Sequence, residues 1–96
     1  HMKLNAAELI IREASWLYDN DLPCAEAANT AKYLASEAGF FAADRAMQTH
    51  GGFGYATEYH VERYWREARL MKIAPVSQEM VLNFISSKIL GLPRSY

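Results

Sequence analysis

The sequence predicts an all-α fold, an antiparallel up-down helical bundle, on three observations. Apolar residues recur through the chain at i, i+3, i+4 and i+7, which is the spacing of one buried face of a helix. No stretch shows the strict alternation of a half-buried strand. One long segment carries a stripe of alanines, and small side chains let a neighbouring helix approach closely.

The first two helices follow from this spacing. The first runs from Leu4 to about Asn20 and ends before Pro23, because the residue that precedes a proline is pushed out of the helical region. The second runs from Ala25 to about Thr49. Its expected buried stripe consists of Ala28, Ala31, Leu34, Ala35, Ala38, Phe41, Ala42 and Ala46.

Two further helices fill the second half of the chain. Thr57, followed by acidic residues, is a suitable start for a helix that reaches about Ile73. Ser77 can cap a last helix that continues to about Leu90. Gly91 and the proline two residues later then stop it.

Composition limits the classes of function. With 96 residues the chain forms one domain, which we place at 3–96 because His1-Met2 resembles a cloning scar. A net charge of −1 gives no electrostatic basis for binding nucleic acid or an anionic membrane, and no apolar run approaches a membrane span. The single Cys24 excludes an intrachain disulfide and favours the cytoplasm. His50 and His60 lack the spacing of metal ligands, so we expect no metal site.

A glycine-rich segment directly after the second helix is the strongest functional signal. It reads Gln48-Thr49-His50-Gly51-Gly52-Phe53-Gly54-Tyr55. One glycine is enough to end a helix, so the surplus indicates a place where the backbone approaches a ligand closely. Free backbone N–H groups there would suit a phosphate, with the amide of Gln48 and the hydroxyl of Thr49 beside them. The alternative is a helix–helix turn with extra glycines; a dinucleotide fingerprint is excluded because a helix, and not a strand, precedes it.

A longer string of residues that begins with this segment resembles the C-terminal domain of acyl-CoA dehydrogenases. The matching positions are Gln48-Thr49-His50-Gly51-Gly52-x-Gly54-Tyr55-x-Thr57-Glu58-Tyr59-x-Val61-Glu62-Arg63-x-x-Arg66-Glu67-Ala68. The segments 35–38 and 90–94 fit the same family. The resemblance covers nearly the whole chain but not a whole enzyme, since the family also carries an N-terminal helical domain, a β-domain and one earlier bundle helix.

This resemblance implies a part of an FAD-dependent oxidoreductase that desaturates an acyl-CoA thioester between its α and β carbons. It also implies a homo-oligomer, either a dimer or a tetramer, and an electron-transfer acceptor. FAD contacts are expected from Gln48, Thr49, His50, Gly51 and Gly52, which reach the FAD of a neighbouring protomer, and from Ser77, Gln78 and Glu79 along its adenosine part.

One departure from the family concerns the catalytic base. Many members place a Glu-Gly-Thr sequence just before the last helix, where this chain has Pro75, Val76 and Ser77. Proline cannot accept a proton, and Glu79 is read as a first-turn acid favoured by the helix dipole. The sequence therefore assigns no catalytic residue, and we expect the isolated chain to be inactive. The alternative is a non-catalytic helical interaction module derived from the family.

Overall fold

The structure, a computed structural model, describes residues 1–94, so the last two residues of the predicted 3–96 domain lie outside the described residues. Through this range the chain is helical and contains no strand, which confirms the predicted all-α class. Its elements are α1 (Met2–Asp19), α2 (Ala25–His50), α3 (Gly52–Tyr55), a 3-10 turn (Thr57–Tyr59), α4 (Val61–Ile73), α5 (Gln78–Phe84) and a π-helical turn (Ile85–Ile89). None of the helices within residues 1–94 is long and apolar enough to cross a bilayer.

Helix α2 is the centre of the fold, because α1, α4 and α5 all pack against it. Its buried residues are Ala27, Ala31, Ser36 and Ala38. The predicted stripe was therefore wrong at Ala28, Phe41 and Ala42, which are exposed. The reason is that α1, α4 and α5 leave part of the α2 surface open, and these three residues lie on that part.

The ends of α1 and α2 lie within two residues of their predicted positions. The predicted start of the third helix at Thr57 is wrong. Thr57 opens a separate 3-10 turn, and His60 adopts a left-handed conformation, with φ of 61°, before α4 begins at Val61. The hydroxyl of Thr57 turns towards Glu58 Oε2, at 3.5 Å, and caps no helix.

The last helix begins as predicted, with Ser77 at its N-cap. It keeps α-helical geometry only to Phe84 and continues to Ile89 as a π-helical turn, so its predicted length was nearly right and its predicted geometry was not. Gly91 follows with φ of 67°, a conformation that ends a helix and favours glycine.

Candidate functional site

The glycine segment forms a sharp turn between α2 and α3. Gly51 has φ of 58° and ψ of −137°, a backbone region that is open to glycine and strained for other residues. Its amide donates to Gln48 O at 3.2 Å, and its own carbonyl accepts from the Gly54 amide at 3.0 Å. The second half of the glycine-rich segment is therefore ordered as one helical turn, α3.

The structure explains why two of the three positions in this turn are glycine. Gly51 is explained by its positive φ. At Gly54 an added Cβ would lie 2.7 Å from the backbone oxygen of Met47, so close packing of the turn on α2 explains it. Gly52 has neither constraint, since its φ is not positive and an added Cβ would meet no atom within 4 Å.

The polar side chains at the end of α2 are exposed. The hydroxyl of Thr49 donates back to Arg45 O at 2.8 Å, which leaves only its oxygen lone pairs for a ligand. His50 Nδ1 lies 2.9 Å from Ala46 O, and a carbonyl can only accept, so this nitrogen carries a proton. Both side chains thus bond to their own helix, whereas the Gln48 side-chain amide has no hydrogen bond to any of the residues 1–94.

The second predicted segment lies at the start of α5. The hydroxyl oxygen of Ser77 accepts from the Met80 amide at 3.3 Å, which is an N-cap bond. Glu79 is exposed, and hydrogen bonds from its own amide and from the Ser77 side chain lower the pKa of its carboxyl. Its charge at the N-terminus of the helix agrees with the first-turn role predicted for it.

Gln78 points into the protein and not towards solvent. Only 8% of its surface is exposed. Its Nε2 donates to Ser36 Oγ at 3.0 Å and to Glu37 Oε1 at 2.8 Å, both on α2. The same Glu37 oxygen pairs with Lys72 Nζ of α4 at 2.6 Å. Lys72, then Gln78, lowers the pKa of the Glu37 carboxyl.

Sequence reasoning missed this group of Glu37, Lys72 and Gln78. The only signal available was a charged pair, Glu37 and Lys72, on faces that must pack if the bundle forms. Sequence reasoning also missed a second contact between α2 and α4. Trp65 Nε1 donates to Asp44 Oδ1 at 3.2 Å, and the Trp65 ring lies 5.4 Å from the ring of Phe40.

The connection between α4 and α5 contains Pro75, preceded by a cis peptide bond. Beside it lies a cavity of about 260 Å³ between α2 and α4. Its lining residues are Lys32, Ala35, Ser36, Gly39, Phe40, Ala68, Met71, Ala74 and Pro75, and this set includes no carboxylate. Within residues 1–94, no group of three potential metal ligands is brought together.

These features define a helical module whose conspicuous turn lies at the end of its central helix. The model of the C-terminal domain of acyl-CoA dehydrogenases matches residues 1–90. The chain therefore belongs to the acyl-CoA dehydrogenase family, which is a family of oxidoreductases. It corresponds to the C-terminal domain of that family.

Relatives agree with this membership. The chain is 50% identical to the acyl-CoA dehydrogenase FadE12 of Mycobacterium tuberculosis, over 100% of this chain and 25% of the relative. It is 35% identical to a 3-(aryl)acrylate reductase of Clostridium sporogenes, over 92% of this chain and 23% of the relative. The chain thus spans about a quarter of the length of these curated relatives.

A solved structure gives the same fold. A chain from work on the electron-transferring flavoprotein of Acidaminococcus fermentans and flavin-based electron bifurcation superposes with a TM-score of 0.87. The sequence identity is 31%, and the match covers 93% of this chain and 23% of that one.

Proposed function

We propose that this chain is the C-terminal helical part of an FAD-dependent acyl-CoA dehydrogenase-type enzyme of the cytoplasm. In the complete enzyme it supplies FAD-contacting residues and a subunit-interface surface. The flavin would accept the β-hydrogen of an acyl-CoA thioester as hydride when the α-proton is removed. Acyl-CoA and an electron-transfer acceptor are then partners of the complete protein.

The observation that carries this proposal is the unexplained glycine at position 52. Gly51 and Gly54 are accounted for inside the chain, whereas Gly52 is exposed and has open space where a side chain would be. A glycine in that setting fits a backbone that another molecule approaches closely. The amides of Gly52 and Phe53 begin α3 and have no acceptor within that helix, so they can face a diphosphate.

The predicted contacts divide by chemistry. We assign the diphosphate to the segment from Gln48 to Gly52, where amide donors are concentrated. We assign the adenosine to the segment from Ser77 to Glu79, because a carboxylate repels phosphate but accepts hydrogen bonds from ribose hydroxyls. Gln78 would contribute its backbone, since its side-chain amide already bonds to α2.

The proton acceptor of the reaction belongs elsewhere in this proposal. Pro75 cannot accept a proton, and the cavity beside it contains no carboxylate. We therefore expect the base outside these 96 residues and expect no turnover by the chain alone. The absence of a base at this position is equally compatible with the second candidate, a helical interaction module that has lost catalysis.

Substitution of Gly52 in the complete protein tests the first candidate. The reading frame that contains this chain is expressed, and FAD affinity is measured from visible flavin absorbance for wild type, Gly52→Ala and Gly52→Val. We expect the dissociation constant to rise about tenfold for alanine and further for valine, because each added group occupies the space that the ligand needs. Acyl-CoA and enoyl-CoA thioesters are both assayed, since the relatives bear dehydrogenase and reductase names.

Gly39→Ala is the matched control, because an added Cβ at this glycine also meets no atom within 4 Å and its φ is not positive. It should bind FAD as the wild type does. If Gly52→Val retains wild-type affinity, close approach at this turn is ruled out. If the wild-type protein holds no flavin at all, the interaction module becomes the better description.

A further inference from the structure

The side chain of Gln78 joins three helices at one point. Its Nε2 lies 3.0 Å from Ser36 Oγ and 2.8 Å from Glu37 Oε1. Lys72 Nζ lies 2.6 Å from the same Glu37 oxygen. One carboxylate oxygen of α2 therefore holds the last turn of α4 and the first turn of α5 together.

These bonds leave Gln78 little freedom. A side-chain amide nitrogen has two protons, and both have an acceptor on α2. The residue is 8% exposed, and a buried donor without a partner would be costly. Among the described residues no buried side-chain polar atom is left without a hydrogen bond, so this arrangement satisfies the interior fully.

We call the hydrogen-bonded group of Gln78, Glu37 and Lys72 the junction of α5, α2 and α4. Its position matters because Gln78 stands between Ser77 and Glu79. We propose that Gln78 is a positioning residue: fastened to Ser36 and Glu37, it sets the orientation of the first turn of α5, so that Ser77 and Glu79 face the adenosine of FAD. The assignment rests on the proposed flavin site. It differs from a direct contact, in which the Gln78 amide itself would bind the nucleotide.

Exchange of the two interacting groups distinguishes these roles. Gln78→Glu removes the donor and sets a second carboxylate against Glu37. The two negative charges then repel each other, which weakens the contact between α5 and α2. In the double variant Glu37→Gln, Gln78→Glu the amide and carboxylate change places. The hydrogen bond between positions 37 and 78 is regained, whereas the bond to Ser36 Oγ is not, because that hydroxyl already donates to Tyr33 O.

FAD affinity of the complete protein is the first measurement. We expect Gln78→Glu to raise the dissociation constant about tenfold, the size that corresponds to one charge-assisted hydrogen bond. The double variant should return to within about threefold of wild type. Glu26→Gln, an exposed change on α2, is the charge control. If the double variant binds FAD as poorly as Gln78→Glu, the side chain at position 78 contacts the nucleotide and the positioning role is overturned.

Amide hydrogen exchange of the 96-residue chain gives a second measurement that needs no flavin. Gln78→Glu should accelerate exchange of the Met80 and Val81 amides, which bond to Ser77, by about tenfold or more, and the double variant should restore their protection. Unchanged exchange in Gln78→Glu would overturn the proposal even if FAD binds. If the wild-type complete protein binds no FAD, the proposed function fails, while restored protection in the double variant still supports the junction.

Discussion

The glycine turn shows at the residue scale how one residue type meets separate requirements. Gly51 is needed for its backbone angle, Gly54 for its packing on Met47, and Gly52 for neither. Only the last of the three therefore points outside the chain. The high glycine content of the segment therefore supports a ligand contact at position 52 and not at positions 51 and 54.

The unfolding free energies of three alanine variants test this distinction. Gly51→Ala should lose about 1–2 kcal/mol, because alanine is strained at φ of 58°. Gly54→Ala should lose about 1–3 kcal/mol, because its Cβ meets a backbone oxygen. Gly52→Ala should be neutral or gain up to about 1 kcal/mol.

Urea unfolding of the 96-residue chain, followed by circular dichroism, measures these differences. A loss at Gly52 as large as that at Gly51 would show that Gly52 serves the fold. The argument for a ligand at this turn would then lose its basis.

Residue-level roles were predictable where they depend on local sequence. The exposed polar end of α2 at Gln48 and the cap at Ser77 follow from neighbouring residues, and both lie where expected. The inward direction of Gln78 does not, because it depends on Glu37, which is 41 residues away in sequence. A first-turn glutamine has the same local pattern whether it faces solvent or the core.

At the scale of elements, too, features set by local sequence could be predicted and features set by distant contacts could not. The limits of α1 and α2 could be predicted because periodicity and Pro23 act locally. The break at His60 could not, since no glycine or proline marks its left-handed conformation. Packing on α2 decides where such a break falls, and the apolar repeat of a helix does not specify that packing.

The ion pair between α2 and α4 makes the packing of these elements sensitive to pH. Lys72 and Gln78 hold the pKa of Glu37 below its usual value of 4.5, with a smaller contribution from Lys3 of α1. The folded pKa is thus lower than the unfolded one, so this stabilisation is present above about pH 4.5 and is lost as the pH falls through the folded pKa. Asp44, whose pKa is lowered by Arg45 and then Trp65, acts in the same direction.

Glu37→Gln should therefore reduce the acid sensitivity of the unfolding free energy. At pH 7 we expect a loss of about 1 kcal/mol, a value reduced for the partial exposure of the Glu37 side chain. Below pH 4 the difference from wild type should shrink. The measurement is a series of urea titrations between pH 3 and pH 7, with Glu26→Gln as the control. A constant difference across this range would show that the Glu37 charge does not stabilise the junction.

At the scale of the whole molecule, the chain is more open than a domain of its length. Its accessible surface is 7133 Å², whereas a compact monomer of 10.9 kDa is expected to expose about 5,600 Å². Its radius of gyration is 15.9 Å, against about 12.5 Å expected for 96 residues. Within residues 1–94, Val81 is the single large side chain that is fully buried. A hydrophobic content of 51% is enough for a core, but only the packing shows how few of these residues are covered.

Exposed apolar residues run along two faces of α1, one formed by Met2, Leu9 and Trp16 and the other by Leu4, Ile11 and Tyr18. Met2, Leu9 and Trp16 are 86%, 69% and 60% exposed, and their spacing of seven residues places them along one line of the helix. The surface of one chain in excess of a compact monomer is about 1,500 Å², roughly twice the ~800 Å² that each partner contributes to a standard protein–protein interface. A second copy of this chain is the partner that any purified sample supplies.

We therefore expect the 96-residue chain to self-associate at micromolar concentration, with a dimer as the smallest assembly. Sedimentation velocity measures this directly. Replacing Leu9 and Trp16 with glutamine should shift the chain towards monomer, because it removes two of the three apolar side chains on the line that begins at Met2 and leaves the buried Ala7 untouched. Tyr18→Gln is the matched control, since Tyr18 is 74% exposed but lies on another face of α1. A wild-type chain that sediments as a compact monomer would contradict the expectation. A double variant that associates like wild type would move the interface away from α1.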